Sequence, residues 1–155
     1  MSAVRHPEPP AAPRELAASP EPGAARYRLD RHLVAEHRPD GSDPVVRPAD
    51  AVAEPAGGAR LGPVYRRDPG GDLVVPTGRV LVRYAEGDRA ERHRDELAGA
   101  GYQVDQVLGY APHAAWLRAL GGGIAAALAR IGGLAELPGV RRVEPQMIGR
   151  REARG

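Results

Sequence analysis

The chain has 155 residues, enough for one domain or a small domain with a tail. Its 22 basic side chains are all arginine; it has no Cys, Phe or Asn, three Ser and one Thr. Without Cys there is no disulfide framework and no thiolate, and without Lys there is no Schiff base or Walker-type phosphate lysine. The formal net charge is only +2. Arginine in place of lysine reads as a codon bias rather than as the footprint of a nucleic-acid partner.

The start, MSAVRHPEPPAAPREL, has no apolar run of the kind a secretory signal needs. The longest apolar stretch, Ile124 to Leu137, is too short to span a bilayer and contains Arg130 and Glu136. The expectation is a soluble cytoplasmic protein without a membrane partner.

Proline divides the chain: residues 1–76 hold 13 of the 16 prolines. Residues 1–59 are rich in Pro, Ala, Glu and Arg, with few large apolar side chains. Such a segment buries too little surface to offset its ordering entropy, so it reads as a disordered arm. Within it, Tyr27 to His37 has Leu29 and Leu33 at helical spacing and suggests a transient helix. Residues 60–76 read as a lead-in hairpin or extended segment, because Asp68-Pro69-Gly70-Gly71 is a turn signal between short apolar runs.

From Thr77 the pattern becomes regular. Arg79–Tyr84 alternates, with Val80, Val82 and Tyr84 on one face, and predicts a strand. Asp88 with Glu91 predicts a capped helix ending at Gly101. Tyr102–Tyr110 and Ala114–Leu120 predict the next two strands. Gly121-Gly122-Gly123 opens a second helix that Pro138-Gly139 ends, and Val140–Met147 predicts the last strand, with Pro145 suggesting that it is an edge or frays there.

The order strand, helix, strand, strand, helix, strand predicts an α+β fold. It is the ferredoxin-like βαββαβ plait over residues 77–148, a four-stranded antiparallel sheet with two helices on one face. Trp116 is the one large aromatic expected in its core. Residues 149–155 are left as a basic tail. A domain this small gains stability if a partner covers its open sheet face.

Catalysis is disfavoured by elimination. After Thr77 there is no Ser, Thr, Cys or Lys, so no hydroxyl, thiol or amine nucleophile is available and no catalytic residue is assigned. His32 and His37 are off-register for one helix face, and His93 and His113 lack ligand-like neighbours, so no metal and no cofactor is expected. Gly121-Gly122-Gly123 matches neither phosphate-loop pattern. Residues 76–140 carry seven Arg against seven acids, whereas residues 141–155 carry five Arg against two Glu. That basic end reads as a solvated tail, as a segment presented to a partner's groove, or as a nucleic-acid contact. An RNA-binding plait stacks bases on aromatics of its central strands; no such aromatic run exists here, so no nucleic acid is expected.

Three stretches carry a resemblance: PTGRVLVRY at 76–84, GYQVDQVLGYAPHAAWLRA at 101–119, and ALARIGGLAELPGVRRVEPQM at 127–147. Together, residues 76–148 resemble the propeptide, or peptidase-inhibitor, domain of subtilisin-like serine proteases, in the flavour of the fervidolysin-like prodomain of bacterial subtilases. The resemblance implies a non-enzymatic partner of such a protease, an inhibitor and a folding chaperone. Its sheet face would pack on the enzyme and its C-terminal segment would enter the substrate cleft as an extended strand. Carried onto this chain, the protease-binding tail would be Val143, Glu144, Pro145, Gln146, Met147, Ile148, Gly149, Arg150 and Arg151. Here the chain stops at Gly155 without a protease domain, which suggests a stand-alone inhibitor, a chaperone supplied in trans, or an orphaned gene fragment. The alternative is an adaptor or oligomerisation module that uses the open sheet face, including self-association.

Overall fold

The structure is a computed structural model that describes residues 12–17, 25–51, 59–68, 70–121 and 123–150. In chain order its elements are β1 (Glu15–Ala17), β2 (Arg26–His37), β3 (Val45–Pro48), β4 (Arg60–Asp68), β5 (Leu73–Arg83), α1 (Arg94–Gly99), β6 (Tyr102–Leu108), β7 (Ala111–Ala119), α2 (Gly123–Ala129), α3 (Ile131–Ala135) and β8 (Arg142–Arg150). Short 3-10 turns cover Ala49–Ala51 and Ala90–His93. None of the described helices is long and apolar enough to cross a membrane.

The expected four-stranded plait behind a disordered arm is corrected. Among the described residues, eight strands form one antiparallel sheet and only three short helices accompany it. The order is β1-β2-β4-β5-β7-β6, with β3 on β2 and β8 on β5. The physical reason lies in β5. Its first half pairs with β4 (Tyr65↔Val74) and its second with β7 (Val80↔Leu117). Along its other edge, β8 pairs with both halves, from Leu73↔Arg150 to Arg83↔Arg142. The lead-in hairpin does form, as β4 and β5. It is a central part of the sheet, and it offers β4 as an edge on which β2 pairs.

The segment read as a transient helix is the 12-residue strand β2. Its Leu29-to-Leu33 spacing of four fits one face of a strand as well as one face of a helix, and its pairing with β4 shifts register between Leu29 and Val34. Asp30 holds that irregular stretch. It accepts a hydrogen bond from the His32 N–H at 2.9 Å and pairs with Arg66 at 2.9 Å. Tyr27 and Leu29 pack with Leu16, Tyr65, Val74 and Leu128, while Ala35 is buried beside Val64, Leu73 and Val75. The segment lacks enough apolar surface to fold alone, but it finds that surface on its neighbours. Residues 1–11, 18–24 and 52–58 of the expected arm lie outside the described residues.

The helices cover one face of the C-terminal half. Leu97 of α1, Ala127 of α2 and Leu134 of α3 pack on Val80, Val82, Tyr84, Tyr102, Ala115, Leu117 and Val143. Tyr65, Tyr84 and Tyr102 are the largest fully buried side chains. The expectation that Trp116 anchors the core is therefore also corrected. Both expected helices are interrupted. The second breaks at Arg130, just before the poor helix formers Gly132 and Gly133, and the Arg130 guanidinium donates to the Gly101 carbonyl at 3.1 Å. Gly101 has φ +96, and an added Cβ would meet Arg130 Cδ at 2.7 Å, so glycine is required there.

The first helix breaks at His93, which has non-helical torsions. Asp88 does not form the expected capping box. It accepts from the Arg89 N–H at 2.7 Å and lies 2.8 Å from His93 Nε2. His93 Nδ1 lies 3.3 Å from Glu96, and the ring stacks on Tyr84 at 4.0 Å. Burial alone would lower the His93 pKa, but hydrogen bonds and charges from Asp88 and Glu96 outweigh it and raise the pKa above its ordinary value. Stabilisation from a raised pKa is fully present below the ordinary histidine value and is lost as pH rises through the folded value. His37, whose pKa burial lowers, works in the opposite sense. Thermal melts from pH 5.5 to 8 should therefore show wild type losing roughly 2–4 °C relative to His93→Gln as pH rises. Parallel curves would remove the ion-pair account.

Candidate protein-binding face

The expected tail residues do not form a free tail. Val143 to Arg150 lie in β8 and pair with β5. Val143 is buried in the helix-side core and Pro145 is buried beside it in the strand. Met147 packs with Tyr65, Val74 and Leu128. Gln146 accepts a hydrogen bond from Thr77 Oγ1 at 2.7 Å. Glu144 pairs with Arg142 at 2.6 Å, Ile148 is half-buried opposite Val75, and Gly149 is exposed opposite Val74. Arg151 lies outside the described residues. Of the two readings the proline allowed, an edge or a frayed strand, β8 is an edge: among the described residues only β5 pairs with it, through Pro145 as well.

Among the described residues, the opposite face of the same four strands carries no helix. Alternation puts Val80 and Val82 under the helices and turns Arg79, Leu81 and Arg83 the other way. The register then aligns side chains in rows across the sheet. One row runs Glu144, Leu81, Trp116, Gln106, and the next runs Arg142, Arg83, Ala114. Directly opposed side chains on adjacent strands lie within contact distance. Leu81, Ala111 and Ala114 are buried at the centre, with Leu108 and Trp116 half-buried around them.

Charge frames this apolar strip. The Arg79 guanidinium lies over the Trp116 ring at 5.1 Å. Asp105 joins two arginines, with Arg79 Nε at 3.0 Å and Arg118 Nε at 3.1 Å. Arg79 also donates to Gln106 at 3.1 Å. Arg118 is exposed, and Tyr110, in the β6–β7 turn, is 87% exposed. Arg83 makes no ion pair among the described residues, and its Nε is shielded from solvent without a hydrogen-bond partner.

Sequence reading expected an open sheet face but missed that Trp116 lies on it, because it counted Trp116 as core. The signal was present: in AAWLRAL, Trp116 and Arg118 share a parity opposite to Ala115 and Leu117. Chemically, the face offers an aromatic ring, guanidinium donors and two carboxylates, with no nucleophile. Among the described residues, no group of His, Cys, Asp and Glu is arranged to hold a metal ion. The architecture thus defines an antiparallel sheet with one helix-packed face and one Trp- and Arg-bearing open face. No family model, curated protein or solved structure matches this chain.

Proposed function

We propose that the protein is a non-catalytic binding module that engages another polypeptide through the helix-free face of β8, β5, β7 and β6. The observation that carries this reading is Trp116, half-buried beside Leu81 with Arg79 over its ring, on a face that none of the described helices covers. Tryptophan, tyrosine and arginine are the residues in which interface energy concentrates, around a small desolvated apolar centre. The test is a photo-crosslinking amino acid at position 118, compared with one at position 92 on the helix side, in cells that naturally make the protein. A discrete crosslinked polypeptide from position 118 alone is expected. Identical products from both positions, or none, would remove the reading.

A second reading assigns a subtilisin-like protease as the partner, which the domain would inhibit or help to fold. One observation favours it: β8 is an edge strand, and a protease cleft binds extended chain by adding a strand. Because Gln146 to Arg150 lie in the sheet, the truncation that tests it removes residues 151–155 only. Inhibition of subtilisin by the full chain, weakened by that truncation, is expected. An enzyme unaffected by excess full-length protein would end this reading.

A further inference from the structure

We infer that the helix-free face takes an acidic polypeptide segment, whose carboxylates pair with Arg83 and Arg142. The inference rests on the face reading above and names the chemistry of its partner. On this face Arg79, Arg83, Arg118 and Arg142 stand against Asp105 and Glu144. The acids are not shared evenly. Asp105 serves Arg79 and Arg118, and Glu144 serves Arg142, which leaves Arg83 without an acid among the described residues. Arg83 also stands directly opposite Arg142 in the sheet register. Like charges so placed destabilise a strand pair, and an incoming carboxylate relieves them. Arg142 is 46% exposed, so the position is open to a partner.

The same face is poorly suited to single-stranded nucleic acid. Such binders stack successive bases on several aromatic rings. Trp116 is the only aromatic in the rows, and Arg79 already lies over it. Asp105 and Glu144 would repel phosphates at the two ends of the apolar row, whereas an acidic peptide still brings backbone N–H groups that can donate to these carboxylates.

Trp116 is the only tryptophan of the chain, so its emission reports on this face alone. The experiment titrates the full chain at low ionic strength with a ten-residue oligoglutamate and, separately, with a ten-residue oligothymidylate. A saturable change in emission with oligoglutamate is expected. Arg83→Gln with Arg142→Gln should weaken it roughly tenfold, the loss of two surface ion pairs of about 0.7 kcal/mol each. Arg92→Gln with Arg94→Gln removes the same charge from the helix side and should leave affinity within about twofold. Arg142→Glu, a single change at an exposed site, should repel the peptide and serves if the double variant fails to fold. Equal losses in both double variants, or tighter binding of oligothymidylate, would overturn the inference. Absence of any oligoglutamate response also overturns it. In that case a crosslink from position 118 would leave the face reading standing, and loss of both would end the two together.

Discussion

A chain that begins at Ala59 should lose cooperative unfolding or melt far below the full-length protein. The cut removes β1, β2 and β3. With them go Leu16, Tyr27, Leu29, Leu33, Ala35 and Val46, which pack over Val64, Tyr65, Leu73, Val74 and Val75. Returning a fully buried large apolar side chain to water costs about 1.5–3 kcal/mol. Exposing three or four of them costs as much as the ~5–15 kcal/mol that holds a typical domain folded. Calorimetry on the two chains decides it. A disordered arm would leave the melting temperature unchanged. A narrower probe is Tyr65→Phe: it deletes only the hydrogen bond from Tyr65 Oη to the Pro13 carbonyl, 2.6 Å in length, and should cost about 1 kcal/mol.

Tyr102→Ala should destabilise the protein by about 3–5 kcal/mol, the range for removing a buried aromatic. Tyr102 is fully buried among Val80, Leu97, Leu117, Ala127 and Leu134, where sheet and helices meet. Its hydroxyl donates to the Ala127 carbonyl in the last turn of α2. Carbonyls at a helix end have no partner within the helix, so the phenol supplies one from inside the core. Tyr102→Phe keeps the packing and should cost about 1–3 kcal/mol for the carbonyl left unsatisfied. Burial also pushes the Tyr102 phenol well above its usual range, so it stays a donor at any working pH. Urea denaturation of the two variants separates the terms. Similar losses for Phe and Ala would show that the ring contributes little.

Local patterning revealed the strands that alternate. Val80, Val82 and Tyr84, the β6–β7 hairpin and the edge character of β8 were all legible. Distant pairing was not. Nothing within Tyr27–His37 shows that it will meet β4, and a four-residue leucine spacing suits a helix face as well as a strand face. The same limit hid the site. A count of arginines pointed to the C-terminal end as a free basic tail, because no local feature shows that Leu73–Pro76 will pair with Met147–Arg150. The open face could be read from the parity of Trp116 and Arg118. The sharing of Asp105 between Arg79 and Arg118 required the sheet order, which only tertiary structure provides.

The register break between Pro76 and Val80 has a consequence for how the chain is made. Strand β8 emerges from the ribosome after every other strand, so one edge of β5 waits uncovered through the synthesis of the whole helical half. Without interruption, residues 73–83 would be a long β-prone apolar run, the kind of segment that recruits neighbouring nascent chains. Pro76 lacks the N–H that such pairing needs, Gly78 has φ +94, and Arg79 adds charge. The irregularity that lets β5 serve two sets of neighbours in the finished sheet thus also protects it from illegitimate pairing until its own last partner arrives.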